Sequence, residues 1–271
     1  MTSFDKPIVN VVHLGDCLEV MKLIPDESVD MILCDLPYGT TQNKWDSVIP
    51  FEPLWTEYKR VTKQNGAIVL TSAQPFTTAL IGSNLQMFKY CWVWDKVNKI
   101  NGHLNAKKQP LRITEDVCVF YASQPVYNPQ MTPGVPYTAT SKGRKSDNYG
   151  KQVDEVTTVN EGFYYPRNIL SIPGDERGTA GRIHPTQKPV ALFEYLIKTY
   201  TLPGQTVLDN CIGSGTTAIA AINTGRNFIG IEQDPEIHSK AIDRVRSHFV
   251  TRTFLPDGRQ APADQDPPHG C

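Results

Sequence analysis

The sequence has no long hydrophobic run and no marked excess of charge of either sign. No apolar stretch approaches the ~18 residues that a membrane-spanning helix needs, and the start, MTSFDKPIVN, lacks the basic-then-apolar pattern of a secretory signal. The 27 Lys+Arg against 28 Asp+Glu exclude a histone-like polycation and at first argue against a nucleic-acid partner. We therefore expect a cytoplasmic protein without membrane contact.

Cysteine is sparse and is not arranged for metal binding. None of the six cysteines forms a C-x-x-C pair, and their spacings fit no zinc site. Most of them lie in apolar runs, where a free thiol behaves as a small hydrophobic side chain. Reduced core thiols and no metal site are the expectation. Repeats of 20–50 residues are also absent, so at 271 residues the chain is one large domain or two small ones.

Strand-like and helix-like segments alternate over the first 120 residues and again after residue 189. Continuous apolar strands between amphipathic helices indicate a mostly parallel sheet that helices cover on both faces. The predicted strands are 10–14, 29–34, 67–71, 90–94, 117–121, 205–209 and 228–232, and the clearest helices are 216–223 and 236–249. Residues 123–162, rich in Pro, Gly, Ser, Thr and Asn, are expected to form a long irregular insert, and 251–271 a disordered tail.

A glycine loop joins the predicted strand 205–209 to the helix after it. Gly213 and Gly215 allow the backbone to pass close to a ligand, with free amides at the helix start directed toward it. Glu232 ends the next strand, where a carboxylate accepts hydrogen bonds from ribose hydroxyls. The pattern G-x-G-x-x-A also suits a dinucleotide, but Asp209 would repel a pyrophosphate and would attract the ammonium of S-adenosylmethionine.

A second turn, Asp35-Leu36-Pro37-Tyr38, follows a buried strand and therefore emerges at the carboxyl edge of the sheet. Pro37 makes the turn rigid. The Asp35 carboxylate and the Leu36 carbonyl are placed to accept the two hydrogens of an amino group, and Tyr38 to stack on a base. A packed tyrosine in an ordinary strand-ending turn is the alternative that these four residues alone leave open.

DLPY, the CIGSGT loop after VLD, and HPTQKP at 184–189 together resemble the amino-group DNA methyltransferases, which make N6-methyladenine or N4-methylcytosine. With the catalytic half first and the cofactor loop last, the order resembles the β-class, a circular permutation of the Rossmann-like methyltransferase fold. The resemblance implies a catalytic half (1–95), a target-recognition insert (96–165) and a cofactor half (166–250). It also implies a prokaryotic or phage enzyme that takes S-adenosylmethionine as cofactor and double-stranded DNA as partner, with a homodimer and a cognate restriction enzyme as further partners.

The resemblance also assigns residues to roles. The target base and its amino group fall to Asp35, Leu36, Pro37 and Tyr38, with Leu36 standing where the family usually has Pro. Asn210-Cys211 likewise replaces the usual Pro-Phe. The residues assigned to S-adenosylmethionine are Asp16 (at the adenine ring), Asp35, His184, Thr186, Lys188 (at the cofactor carboxylate), Asp209, Gly213, Gly215, Thr216 and Glu232.

Positive charge is concentrated in one part of the chain. Residues 96–151 carry nine Lys+Arg against three Asp+Glu, so a basic insert interrupts an acidic body. Such an insert suits phosphate contacts. The candidate DNA-binding residues are Lys96, Lys99, Lys107, Lys108, Arg112, Lys142, Arg144 and Lys145.

The sequence thus predicts a DNA adenine-N6 methyltransferase that acts on a flipped-out base. Asp at the first position of the turn favours adenine, and N4-cytosine methylation is the nearest alternative. RNA or protein-glutamine methylation, an NAD-dependent oxidoreductase and a catalytically silent DNA-binding regulator stay open as further alternatives.

Overall fold

The computed structural model describes residues 8–40, 46–142, 155–174 and 187–253. Six helices lie within these ranges: α1 (Cys17–Met21), α2 (Phe51–Val61), α3 (Phe76–Ser83), α4 (Val190–Tyr200), α5 (Thr216–Asn223) and α6 (Pro235–Thr253). Of the helices in the described ranges, none is long and apolar enough to cross a membrane. The strands are β1 (Val11–Leu14), β2 (Val29–Asp35), β3 (Thr62–Ser72), β4 (Phe88–Asp95), β5 (Thr114–Phe120), β6 (Thr132–Pro133), β7 (Tyr137–Lys142), β8 (Glu155–Asn160), β9 (Phe163–Tyr164), β10 (Ile169–Ser171), β11 (Thr206–Asp209) and β12 (Asn227–Glu232).

Eight strands form one sheet in the order β1-β12-β11-β2-β3-β5-β4-β10. The late strands β11 and β12 lie between the early strands β1 and β2, as a circular permutation requires. β5 pairs antiparallel with both β3 and β4, and the other paired neighbours in the sheet are parallel. This confirms the predicted α/β, mostly parallel sheet.

Hydrophobic side chains of the sheet serve two cores. Along β2, Met31 and Leu33 contribute to the core beneath α4 and α5, whereas Ile32 and Cys34 contribute to the core beneath α1, α2 and α3. All four are fully buried. Burial on both faces is why β2 is apolar without alternation, and why the sequence identified it as a strand.

The predicted insert is not one continuous piece. β5 falls within 96–165, yet it pairs with β3 and β4 inside the main sheet. The sheet therefore separates a hairpin over 96–113 from a second excursion that follows β5. That excursion, expected to be irregular, contains two small antiparallel ladders, β6 with β9 and β7 with β8. The end of the predicted tail, from residue 254, lies outside the described residues.

Candidate active site

Three acidic residues end neighbouring parallel strands. Asp209 ends β11, Asp35 ends β2 on one side of it, and Glu232 ends β12 on the other. Because parallel strands end at the same edge, the sheet brings the predicted catalytic turn and the predicted cofactor loop together. Two segments that are far apart in the chain thus form one site.

The Asp35 carboxylate is held by donors from three directions. Oδ1 accepts hydrogen bonds from the Tyr38 hydroxyl at 2.8 Å and from Thr71 Oγ1 at 2.5 Å. Oδ2 accepts from Lys188 Nζ at 2.8 Å. A carboxylate has about four lone-pair sites, so three are used and acceptor capacity remains for a ligand. The carboxylate is thereby oriented before any substrate arrives.

Lys188 joins the catalytic turn to a buried chain of charges. Its Nζ lies 2.8 Å from Asp35 Oδ2 and 3.3 Å from Glu115 Oε2, and Glu115 Oε1 in turn lies 2.9 Å from Lys96 Nζ. Burial alone would lower the pKa of Lys188, but Asp35, Tyr38 and Glu115 outweigh it and raise that pKa well above the ordinary value. Burial alone would raise the pKa of Glu115, yet Lys188 and Lys96 outweigh it and lower it. Lys188 and Glu115 are therefore both charged at neutral pH.

Tyr38 is packed within the site. Its ring stacks on Phe76 with the centroids 5.1 Å apart and the planes at 23°, and Lys188 Nζ lies 5.5 Å from the Tyr38 centroid. Burial, and then Asp35, raise the pKa of Tyr38 well above its ordinary value, so the hydroxyl remains a donor. The predicted stacking of Tyr38 on a base stays a prediction, and Phe76 already covers one face of the ring.

Leu36 and Pro37 complete the turn. The Leu36 side chain is buried in the core beneath α1, α2 and α3, next to Cys34. The leucine that replaces the usual proline therefore anchors the turn by packing. Because the side chain points inward, the leucine leaves its backbone carbonyl as the group available to the site.

The glycine loop is held from within. Gly213 and Gly215 have φ of 51° and 81°, a region that glycine adopts at little cost. Gly213 N donates to Glu232 Oε2 at 3.0 Å, and Gly215 N donates to Ile212 O at 2.9 Å. Both glycine amides are thus paired, Gly213 N with the carboxylate that ends β12 and Gly215 N within the loop. A pyrophosphate would not find these two donors free.

Asp209 and Asn210 brace the base of this loop. The Asp209 carboxylate accepts from Cys211 N at 3.0 Å and from the Thr217 hydroxyl, and Asn210 Oδ1 accepts from the Tyr58 hydroxyl at 2.6 Å. Burial raises the pKa of Asp209 to about 6. Asn210-Cys211, the unusual pair in the motif, thus ties the loop to α2.

The remaining cofactor candidates lie at the same edge. Glu232 Oε1 also accepts from Asp234 N at 2.9 Å, so both oxygens of this carboxylate are fixed. Gly15 N donates to Glu232 O at 2.9 Å, which places Asp16 beside it, and Asp16 Oδ1 caps α1 by accepting from Leu18 N at 2.9 Å. Thr216 is buried at the start of α5. The predicted residues His184 and Thr186 lie outside the described residues.

The structure corrects one DNA-binding candidate and supports the exposure of others. Lys96 is only 3% exposed and is paired with Glu115, so it is not available to a surface phosphate. Lys107, Lys108 and Arg112 are exposed on the hairpin, and Lys99 is half-buried there. Arg144 and Lys145 lie outside the described residues, as does the side chain of Lys142.

Sequence reasoning missed Thr71 and Glu115. Thr71 is the last residue but one of β3 and pairs with Asp35 of the neighbouring strand β2. Glu115 is the second residue of β5. Because β5 is antiparallel, its first residues rather than its last reach the edge where β2 ends. A signal was present in the acidic pair Glu115-Asp116 immediately before a fully apolar run. It required the direction of the strand, which the sequence did not supply.

Comparisons with known proteins point in one direction. The family model N6_N4_Mtase, described as "DNA methylase", matches residues 29–243. The DNA adenine methyltransferase YhdJ of Escherichia coli (strain K12) is 30% identical over 269 residues, covering 92% of this chain and 87% of that protein. The solved M1.HpyAVI–SAM complex has a TM-score of 0.58 at 24% identity, covering 86% of this chain and 98% of that one. The cytosine-N4-specific PvuII DNA methyltransferase has a TM-score of 0.62 at 16% identity, covering 92% and 93%.

Proposed function

The chain belongs to the N6/N4 family of DNA methylases, and on that premise we propose that it methylates the N6 amino group of adenine in double-stranded DNA. The observation that carries the proposal is the Asp35 carboxylate, fixed by Lys188, Thr71 and Tyr38 at the same sheet edge as the glycine loop. Adenine is favoured over cytosine because the 30% identical relative is named an adenine methyltransferase, and because the catalytic turn begins with Asp.

The loop after β11 fits S-adenosylmethionine, the cofactor of this enzyme class. Glu232 is held by Gly213 N and Asp234 N, which leaves its remaining lone pairs for ribose hydroxyls. Asp209 places a carboxylate at the base of the loop, which suits a ligand that carries a sulfonium and an ammonium group. We assign Asp16, Asp209, Gly213, Gly215, Thr216 and Glu232 to this ligand, and extend the assignment to His184 and Thr186 on the family resemblance alone. When bound, the cofactor supplies an electrophilic methyl group.

Lys188 receives a different assignment from the one that the sequence suggested. We place it with the catalytic turn, because its ammonium contacts Asp35 and Glu115 directly. There it orients the Asp35 carboxylate as an acceptor. Pairing with the cofactor carboxylate would require Lys188 to leave two carboxylates that it already contacts.

The chemistry rests on hydrogen-bond acceptors. An aromatic amine is a poor nucleophile because its lone pair is delocalised into the ring. Hydrogen bonds from the amino group to Asp35 and to the Leu36 carbonyl favour a pyramidal nitrogen, and they stabilise the positive charge that develops on it. With the cofactor bound, the new N–C bond would form as the bond between the methyl group and the sulfonium sulfur breaks. The sulfur would keep that electron pair and leave as a neutral thioether, and the nitrogen would then release one proton to solvent. Positioning of the two reactants supplies the rest of the rate.

Double-stranded DNA as the substrate constrains how the target base reaches the site. An adenine amino group paired inside a duplex cannot reach Asp35, so we propose that the base is flipped out. We also propose a homodimer and a cognate restriction enzyme as partners, and the family resemblance is the basis for both.

Sequencing with modified-base detection tests the proposed function on DNA from cells that express the protein. We expect N6-methyladenine at one fixed sequence context. N4-methylcytosine would overturn the choice of base, and unmodified DNA would overturn the function.

An Asp35→Ala variant tests the role of the catalytic turn. We expect methyl transfer to fall below detection in a radiolabelled-methyl assay, because the oriented acceptor is gone, while calorimetry still detects S-adenosylmethionine binding. Retained turnover would refute the assignment of Asp35. Loss of cofactor binding as well would indicate a damaged site instead of a lost acceptor.

A further inference from the structure

The hairpin formed by residues 96–113, called here the edge hairpin, extends β4 and β5 beyond the sheet. Asn101 and Arg112 pair across it through N–H···O bonds of 2.8 and 2.9 Å. The hairpin leaves the sheet at the edge that carries Asp35. Adjacent strands are about 4.8 Å apart, so β5 begins roughly 10 Å from the end of β2. Arg112 Nη1 also donates to Gln74 O at 3.2 Å, which ties the hairpin to the segment after β3.

The tip of the edge hairpin is a defined turn. Gly102, at φ 95°, leads into a short 3-10 helix at His103–Asn105. Asn105 N donates to Gly102 O at 2.9 Å, and Asn105 O accepts from Lys108 N at 2.8 Å and from Gln109 N at 3.0 Å. Backbone bonds thus fix which side chains the tip presents.

Leu104 is the side chain that this turn presents. Its relative exposure is 101%, the highest among the exposed large hydrophobic side chains of the described residues. Burying a leucine side chain stabilises a protein by about 1.5–3 kcal/mol. The free protein lacks this stabilisation at Leu104, because the turn holds the side chain in solvent. Lys107 and Lys108 follow within four residues and are exposed. This tip is complementary to duplex DNA. The apolar side chain suits the stacked bases in the interior of the duplex, and the two ammonium groups suit the phosphates on either side.

We propose that Leu104 inserts into the DNA base stack at the place that the target adenine leaves, with Lys107 and Lys108 on the flanking phosphates. Apolar wedges of this kind stabilise unstacked base steps. The proposal rests on the proposed function, since a flipped target base is what creates the gap. Leu104 contacts the substrate but takes no part in the bond-forming step.

The test compares two substrates with the full-length enzyme. Once modified-base sequencing has identified the recognition site, one duplex carries the target adenine paired with thymine, and the other carries it opposite an abasic position. For Leu104→Ala we expect kcat/KM on the paired duplex to fall by at least about tenfold, because unstacking a base step costs a few kcal/mol. On the abasic duplex, where flipping is already easy, we expect a value close to that of the wild type.

Two further variants serve as controls. Leu85→Ala removes another leucine, 68% exposed and located between α3 and β4, and should match the wild type on both duplexes. Leu104→Met keeps an apolar wedge and should retain most activity on the paired duplex. Equal losses for Leu104→Ala on both duplexes, or no loss on either, would overturn the wedge. A wild-type enzyme that methylates neither duplex would overturn the proposed function instead.

Discussion

At the scale of single residues, the site depends on how the charge of Asp35 is balanced. Two carboxylates and two ammonium groups, from Asp35, Lys188, Glu115 and Lys96, alternate in a mostly buried row, in which only the carboxylates are partly exposed. Burying charges costs free energy, and removing one partner leaves another charge without compensation. A neutral substitution at any one of these four positions should therefore reduce the stability of the protein. The row also links Asp35, the catalytic acceptor, to Lys96, the first residue of the edge hairpin.

Glu115→Gln should destabilise the protein strongly at neutral pH. It removes the carboxylate that pairs with Lys96 and one of the two that pair with Lys188. We expect a loss of about 3 kcal/mol in the free energy of unfolding, measured by urea denaturation. Because the pKa of Glu115 is lowered in the folded state, the stabilisation is present above the ordinary glutamate pKa of about 4.3 and is lost as the pH falls through the folded value.

The matched control is Glu236→Gln, which breaks an exposed pair with Lys240 and should cost less than about 1 kcal/mol. The difference between the two variants should shrink at low pH. Equal costs at neutral pH would show that the buried row contributes no more than a surface pair.

At the scale of the elements, the sequence predicted best where burial determines composition. β2 and β3 are covered on both faces, so their residues form continuous apolar runs that are recognisable without a structure. α3 was missed because FTTALIGS mixes threonine and glycine with only a few apolar positions. The catalytic turn was predictable because it follows a buried strand. Glu115 was not, because its position depends on the antiparallel direction of β5.

Asp30→Ala should test how the strands are held at the edge opposite the site. Asp30 is buried near the start of β2 and accepts from Lys63 Nζ at 2.6 Å, Gln205 Nε2 at 3.0 Å and Thr206 N at 2.9 Å. We expect a loss of about 2 kcal/mol in stability, because the variant removes a buried acceptor of three hydrogen bonds. Thermal and urea unfolding measure this loss.

The kcat of Asp30→Ala should equal that of the wild type at a temperature where both are folded, since the site lies at the far end of β2. Asp26→Ala, which removes an exposed partner of Arg60, is the control and should change stability little. A fall in kcat for Asp30→Ala without a change in stability would contradict this division between the two edges.

At the scale of the whole molecule, a net charge of -1 hides an uneven distribution. The sequence predicts eight DNA-binding cations in the basic stretch 96–151, but the structure uses one of them, Lys96, internally, against Glu115. The cations that the edge hairpin exposes are therefore fewer than the sequence count, and they lie beside the catalytic edge. DNA binding by this chain should depend on a small, localised set of phosphate contacts.

The salt dependence of DNA binding measures this set. Each phosphate contact on a duplex contributes about 0.9 to the slope of log K against log salt concentration. Lys107→Ala combined with Lys108→Ala should therefore make the slope shallower by about 1.8. The paired control, Lys22→Ala with Lys59→Ala, removes two exposed lysines at the C-terminal ends of α1 and α2, at the opposite edge, and should leave the slope unchanged. If both double variants make the slope shallower by the same amount, DNA binding depends only on the overall charge of the protein. Lys107 and Lys108 of the edge hairpin would then make no specific phosphate contacts.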